Sequence, residues 1–266
     1  MTGRLVLALA LVASPAAAQR LAARIAAAPD GRVHFAFAAR AGVCGNGRTM
    51  ISTRCSAGNC GNTFTFGRNG DDAEVDYDCE AGPVRVSLTR RGGAVASLHT
   101  YVGGRWATPP AGVVVTDLGV VAAHDAVDYL LDLADHDSGR TGEQAIFPAT
   151  MADSVTVWPT LLKLARDEHV PHQTRRQAVF WLGQAAGDAA TAGLTGLTDD
   201  ASVDRDVKEQ AVFALSQRPR DEGVPALIRV ARANPDREVR RKALFWLGQS
   251  SDPRALALFE ELLTKP

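Results

Sequence analysis

Apolar residues recur with two different periods along this 266-residue chain. Over residues 32–118 the period is two. Val33, Phe35 and Phe37 alternate with His34, Ala36 and Ala38. Ala73, Val75, Tyr77 and Cys79 alternate with Glu74, Asp76 and Asp78, and Val84, Val86 and Leu88 with Arg85, Ser87 and Thr89. Side chains on a strand point to opposite faces in turn, so this pattern predicts half-buried strands. Cys79 shares its face with Val75 and Tyr77, which turns it toward the interior. Gly92-Gly93 lies between two such runs and predicts a hairpin turn. The glycine-rich stretches 42–47 and 58–61 read as loops. A small antiparallel sheet or sandwich is the expectation for this half.

After residue 120 the period becomes helical. Ala123, Ala126, Val127, Leu130, Leu131 and Ala134 fit one helix face. A polar loop is predicted over 135–143. A helix is predicted over 146–157, with Pro148 in its first turn. The chain then repeats itself: Ala178, Ala211 and Ala243 sit in equivalent ten-residue segments, 33 and then 32 residues apart. A period of this length means stacked units of two helices, none of which buries its apolar face alone. Each first helix is apolar, over 158–165, 189–197 and 224–231. The second starts near Asp204 or Asp236, whose short carboxylates suit the free amides of a first turn. Leu256, Leu258, Phe259 and Leu262 belong to a closing helix.

The pattern Asp204-x-x-Val207-Lys208-x-x-Ala211-x-x-Ala214-Leu215 returns as Asp236-x-x-Val239-Arg240-x-x-Ala243-x-x-Trp246-Leu247. It resembles the HEAT repeat, specifically the short HEAT-like class first associated with bilin lyases. The first copy departs from it, with Pro171 in place of the aspartate and Thr174 in place of the valine. The resemblance covers residues 158–266. It implies an α-solenoid and does not by itself imply an activity, because such folds host many functions.

A second stripe on these helices is the candidate binding surface. Gln173, Gln177, Phe180 and Gln184 share a face, as do Asp206, Gln210, Phe213 and Gln217, and then Glu238, Lys242, Phe245 and Gln249. Stacked, they make a ladder of Phe180, Phe213 and Phe245 flanked by Gln184, Gln217 and Gln249 along the inner face. Amides and rings in that arrangement suit an extended peptide. Packing between enclosed helices is the competing account of the phenylalanines, but packing does not demand an amide at three equivalent positions. Arg175, Lys208 and Arg240 are also equivalent and lie beside Asp204 and Asp236, which predicts charge pairs between repeats.

The N-terminus changes the setting. Residues 1–18 carry a lone Arg4, an apolar run over 5–12 and a small-residue end at Ala16-Ala17-Ala18. This is the layout of a secretory signal peptide cleaved near Ala18. The apolar run is too short for a stable membrane span. All four cysteines, Cys44, Cys55, Cys60 and Cys79, lie in the first half. In an exported chain an even, clustered set favours disulfides. Of three possible pairings, Cys44–Cys79 and Cys55–Cys60 are favoured over the others and over a zinc site.

Other chemistry is thin. Lys and Arg number 29 against 30 Asp and Glu, with no basic stripe, so no nucleic-acid partner is expected. His169 and His172 are three apart but lack companion ligands, so no metal site is expected. Asp125, Asp128, Asp132 and Asp135 line a solvated helix face. No catalytic motif, phosphate loop or bilin site is present, so neither an enzyme nor a cofactor is expected.

Together these features predict an α+β protein. A signal peptide (1–18) precedes a small disulfide-bonded antiparallel β domain (19–120). An α-helical HEAT-like solenoid follows (121–266), with clear repeats over 157–266. The predicted role is an exported, periplasmic or extracellular scaffold, adaptor or sensor subunit that binds a protein partner. The alternative is an envelope enzyme, lyase or hydrolase, or a small-ligand binder, with its site where the two parts meet.

Overall fold

Val33, Phe35 and Phe37, the strongest alternating run, lie at the heart of a sheet and are fully buried. A computed structural model of the chain describes residues 15–56, 59–65, 79–137, 139–185 and 188–264. Its strands are β1 (Gly31–Phe37), β2 (Cys44–Gly45), β3 (Met50–Ser56), β4 (Asn59–Thr65), β5 (Glu80–Ala81), β6 (Val84–Arg91), β7 (Ala94–Val102) and β8 (Val115–Val120). They form two four-stranded sheets, in the orders β7-β6-β1-β8 and β4-β3-β2-β5. The second is antiparallel throughout. In the first, β8 runs parallel to β1, a pairing that the long stretch of chain between them permits. Gly92 and Gly93 take positive φ in the β6–β7 hairpin, as predicted. The glycine-rich stretches are less loop-like than expected: Cys44–Gly45 is a short strand and Gly61 lies within β4. Of the strand expected over 73–79, only Cys79 lies within the described residues.

Helix α1 (Pro15–Ala27) packs against the helix Ala123–His136 and buries Leu21 and Ile25 in the common core. Its C-terminal carbonyls are held by the buried Arg90, which donates to the oxygens of Ile25, Ala26 and Ala28. A cation at that end suits the helix dipole. The expected cleavage near Ala18 falls within α1, and residues 1–14 lie outside those described.

The remaining helices are α2 (Ala123–His136), α3 (Arg140–Ala149), α4 (Trp158–Arg166), α5 (His172–Gln184), α6 (Asp188–Asp199), α7 (Arg205–Ser216), α8 (Arg220–Ala233), α9 (Arg237–Gln249) and α10 (Pro253–Thr264). They pair as α2/α3, α4/α5, α6/α7 and α8/α9, with α10 against the last pair. Helices α3, α5, α7 and α9 stack as one layer, and α2, α4, α6, α8 and α10 as the other. Leu161, Leu164, Leu182, Leu194, Leu197, Leu215, Leu227 and Leu247 are buried between the layers. Each stabilises the array by about 1.5–3 kcal/mol relative to an exposed position.

Helix α3 corrects the reading of residues 135–157. The polar loop shrinks to the few residues between His136 and Arg140, and the helix ends at Ala149. Asp137 accepts from Gly139 N–H at 2.7 Å, and Gly142 lets the helix close on the α2 terminus, where a Cβ would meet the Asp137 carbonyl at 2.8 Å. Pro148 therefore sits in the last turn, not the first. Beyond it, Arg40 N–H donates to Met151 O and Asp153 N–H to Ala38 O, both at 2.9 Å. These bonds tie the chain leaving β1 to the start of the solenoid.

Candidate interaction surface

The three equivalent second helices fold as the repeat predicts, but their N-termini differ. Asp236 caps α9, accepting from Glu238 N–H at 2.8 Å and from Arg205 Nε at 3.0 Å. These donors hold its carboxyl below the usual range. Asp204 precedes α7 without a side-chain cap; its carboxylate instead accepts from the buried Arg175 of the preceding unit at 2.6 Å. The charge ladder between repeats exists, but not with the predicted members throughout. Arg205, not Lys208, pairs with Asp236, and Lys242 reaches Glu209 at 3.4 Å. Arg240 turns to the carbonyls of Asn234 and Pro235. A further clamp escapes the repeat comparison. Buried Arg218 donates to Thr191 Oγ1, to the carbonyls of Gly183 and Ala185, and to Glu222. It occupies the position of Ala185 and Ser250 in the other copies, so periodicity gives no sign of it.

The phenylalanines of the ladder become more exposed toward the C-terminus. Phe180 and Phe213 are half-buried, whereas Phe245 is 54% exposed. Each lies against a tryptophan: Phe180 edge-on to Trp181 at 5.0 Å, Phe213 and Phe245 both 5.1 Å from Trp246. Gln217 and Gln249 are exposed and line one cleft of about 310 Å³, together with Trp246 and Arg218. Gln184 is separated from them. It lines a cleft of about 430 Å³ with Arg40 and Arg54, where the sheet region meets the first clear repeat. The structure thus brings two of the three glutamines together and sets the third against the β half.

That meeting point is aromatic. Phe64 of β4 lies 5.1 Å from Phe147 and 5.3 Å from Trp181, and Phe147 stacks on Trp181 at 4.8 Å. Trp181 is 5% exposed, and its indole nitrogen has no hydrogen-bond partner among the described residues. A second junction cleft of about 570 Å³ adjoins the same ring and contains His99, Glu143 and Gln177. The sequence shows Phe-Trp twice but gives no sign that Phe64 reaches it.

The cysteines pair as favoured, Cys44 with Cys79 and Cys55 with Cys60. All four sulfurs lie within 4.8 Å of one another, which joins β2, β3, β4 and the residue before β5 in one knot. His169 and His172 go to separate carboxylates, Asp167 and Asp206. His172 also gathers with Asp204 and Asp206 within 4.8 Å, but Asp204 already neutralises Arg175.

Among curated proteins no match is found. The family model described as HEAT repeats matches residues 200–266, which span α7 to α10. The helical pairs continue the same stacking upstream of that match, and the C-terminal part of this chain is a HEAT-like repeat array.

Proposed function

We propose that this protein is an exported interaction scaffold, adaptor or sensor subunit that grips a protein partner along the α5–α7–α9 layer. The partner is a protein rather than a nucleic acid, and binding involves no covalent step. The observation that carries this reading is the cleft holding Gln217, Gln249 and Trp246, with Phe245 half exposed on the same helix as Trp246 and Gln249. An exposed aromatic beside amides that donate and accept is the composition of a peptide-binding groove. Export is supported by the layout of residues 1–18 and by the two disulfides. Among the described residues no helix is long and apolar enough to cross a membrane.

The test is crosslinking of the mature protein in its native envelope, followed by affinity measurement with the captured protein. Gln184→Ala, Gln217→Ala and Gln249→Ala are combined in one variant. The expected result is one defined protein, bound by the variant about tenfold more weakly or worse. Equal affinity for the variant would move the site off the ladder, and capture of no protein would remove the scaffold role.

A further inference from the structure

A second site lies in the β half, away from the ladder. Arg32 on β1, Arg48 after β2, Arg85 on β6 and Arg105 after β7 line one cavity of about 280 Å³, with His34 and Trp106. Among the described residues no carboxylate lines it. None of the four arginines forms an ion pair among the described residues. The carboxylate nearest in register, Asp117 opposite His34 on β8, accepts from Gly119 N–H at 2.8 Å.

Arg85 is built into this cavity rather than draped over it. It is 5% exposed. Its guanidinium donates to the carbonyls of Gly47 and Gly103 and lies 4.8 Å from the Trp106 ring centre, which itself stacks on His34 at 4.0 Å. Its Nε is buried with no hydrogen-bond partner among the described residues. Burying a cation is costly, and an unsatisfied donor adds to that cost. Three further guanidiniums line the same cavity, and like charges gathered around one space favour the entry of an anion. Guanidinium forks match the paired oxygens of a phosphate or sulfate.

From this we propose that the cavity binds a tetrahedral oxyanion, a phosphate or sulfate group, free or as the head of a small ester. Arg85 forms the fixed floor of the site, and Arg32, Arg48 and Arg105 close on the charge from the rim. The proposal is independent of the solenoid reading.

Isothermal titration of the full mature chain with inorganic phosphate, sulfate and phenyl phosphate tests it, against chloride at matched ionic strength. Saturable heat with at least one of the three oxyanions and none with chloride is expected. Tighter binding of phenyl phosphate would identify an ester as the ligand, and equal binding would identify the free ion. Arg32→Gln with Arg105→Gln should weaken binding about tenfold or more. Arg105→Gln alone, at an exposed position, should weaken it in the same direction should the double variant fold poorly. Arg140→Gln with Arg176→Gln, exposed on the solenoid, should leave it unchanged. No oxyanion binding above chloride, or equal losses in the rim and solenoid variants, would overturn the proposal.

Discussion

Asp252 shows how much a single capping carboxylate carries at the last turn of the array. It is buried, and it accepts from the backbone N–H and the guanidinium of Arg254, each at 2.9 Å. These bonds hold its carboxyl at about 2, against an ordinary value of 3.8. The folded state therefore binds this proton less readily than the unfolded chain. Its contribution to stability is present above the ordinary value and is lost as pH falls through about 2. Asp252→Asn should lower the melting temperature at neutral pH. The gap to wild type should close as pH falls from 3.8 to about 2. Thermal unfolding followed by circular dichroism across that range checks it; a gap of constant size would show that the charge is not what matters.

At the scale of the element, the repeats are similar in sequence but unequal in packing. Gly183 and Gly248 occupy the same repeat position. A Cβ at Gly183 would meet the Ala214 Cβ at 2.8 Å, whereas at Gly248 the nearest atom is Phe259 Cζ at 3.9 Å. Gly183→Ala should therefore destabilise the protein by about 1–3 kcal/mol, through forced separation of α5 and α7. Gly248→Ala should stabilise it by up to about 1 kcal/mol, through helix propensity alone. Urea unfolding of the two variants tests the sign; equal effects would mean that the α5–α7 approach is not tight. The same contrast shows what is legible in the sequence. The 33-residue spacing announces the array. The even, clustered set of four cysteines points to the two disulfides. The α3 boundaries are hidden, because Gly142 lies in a stretch that reads as a polar loop and Pro148 reads as a first-turn residue, until α2 is seen to demand close approach at one and the helix end to tolerate the other. Arg218 and Phe64 are hidden because neither repeats.

At the scale of the molecule, the β half and the helical half share one continuous core. The disulfide knot braces β2, β3 and β4, and β4 delivers Phe64 onto Phe147 and Trp181. The sheet region therefore covers the first rung of the ladder, beside Gln184, and leaves the rungs at Gln217 and Gln249 open. The oxyanion cavity was not legible in the sequence, because its arginines come from separate segments and the overall charge is balanced. A cluster assembled by sheet topology leaves no linear pattern. The most direct test of the scaffold account is photo-crosslinking in the native envelope from a benzoylphenylalanine placed at Phe245. The same probe at Val120, exposed in the β half, is the control. The account predicts one protein adduct from position 245 and none from position 120. Adducts from 120 with none from 245, or none from either, would contradict it.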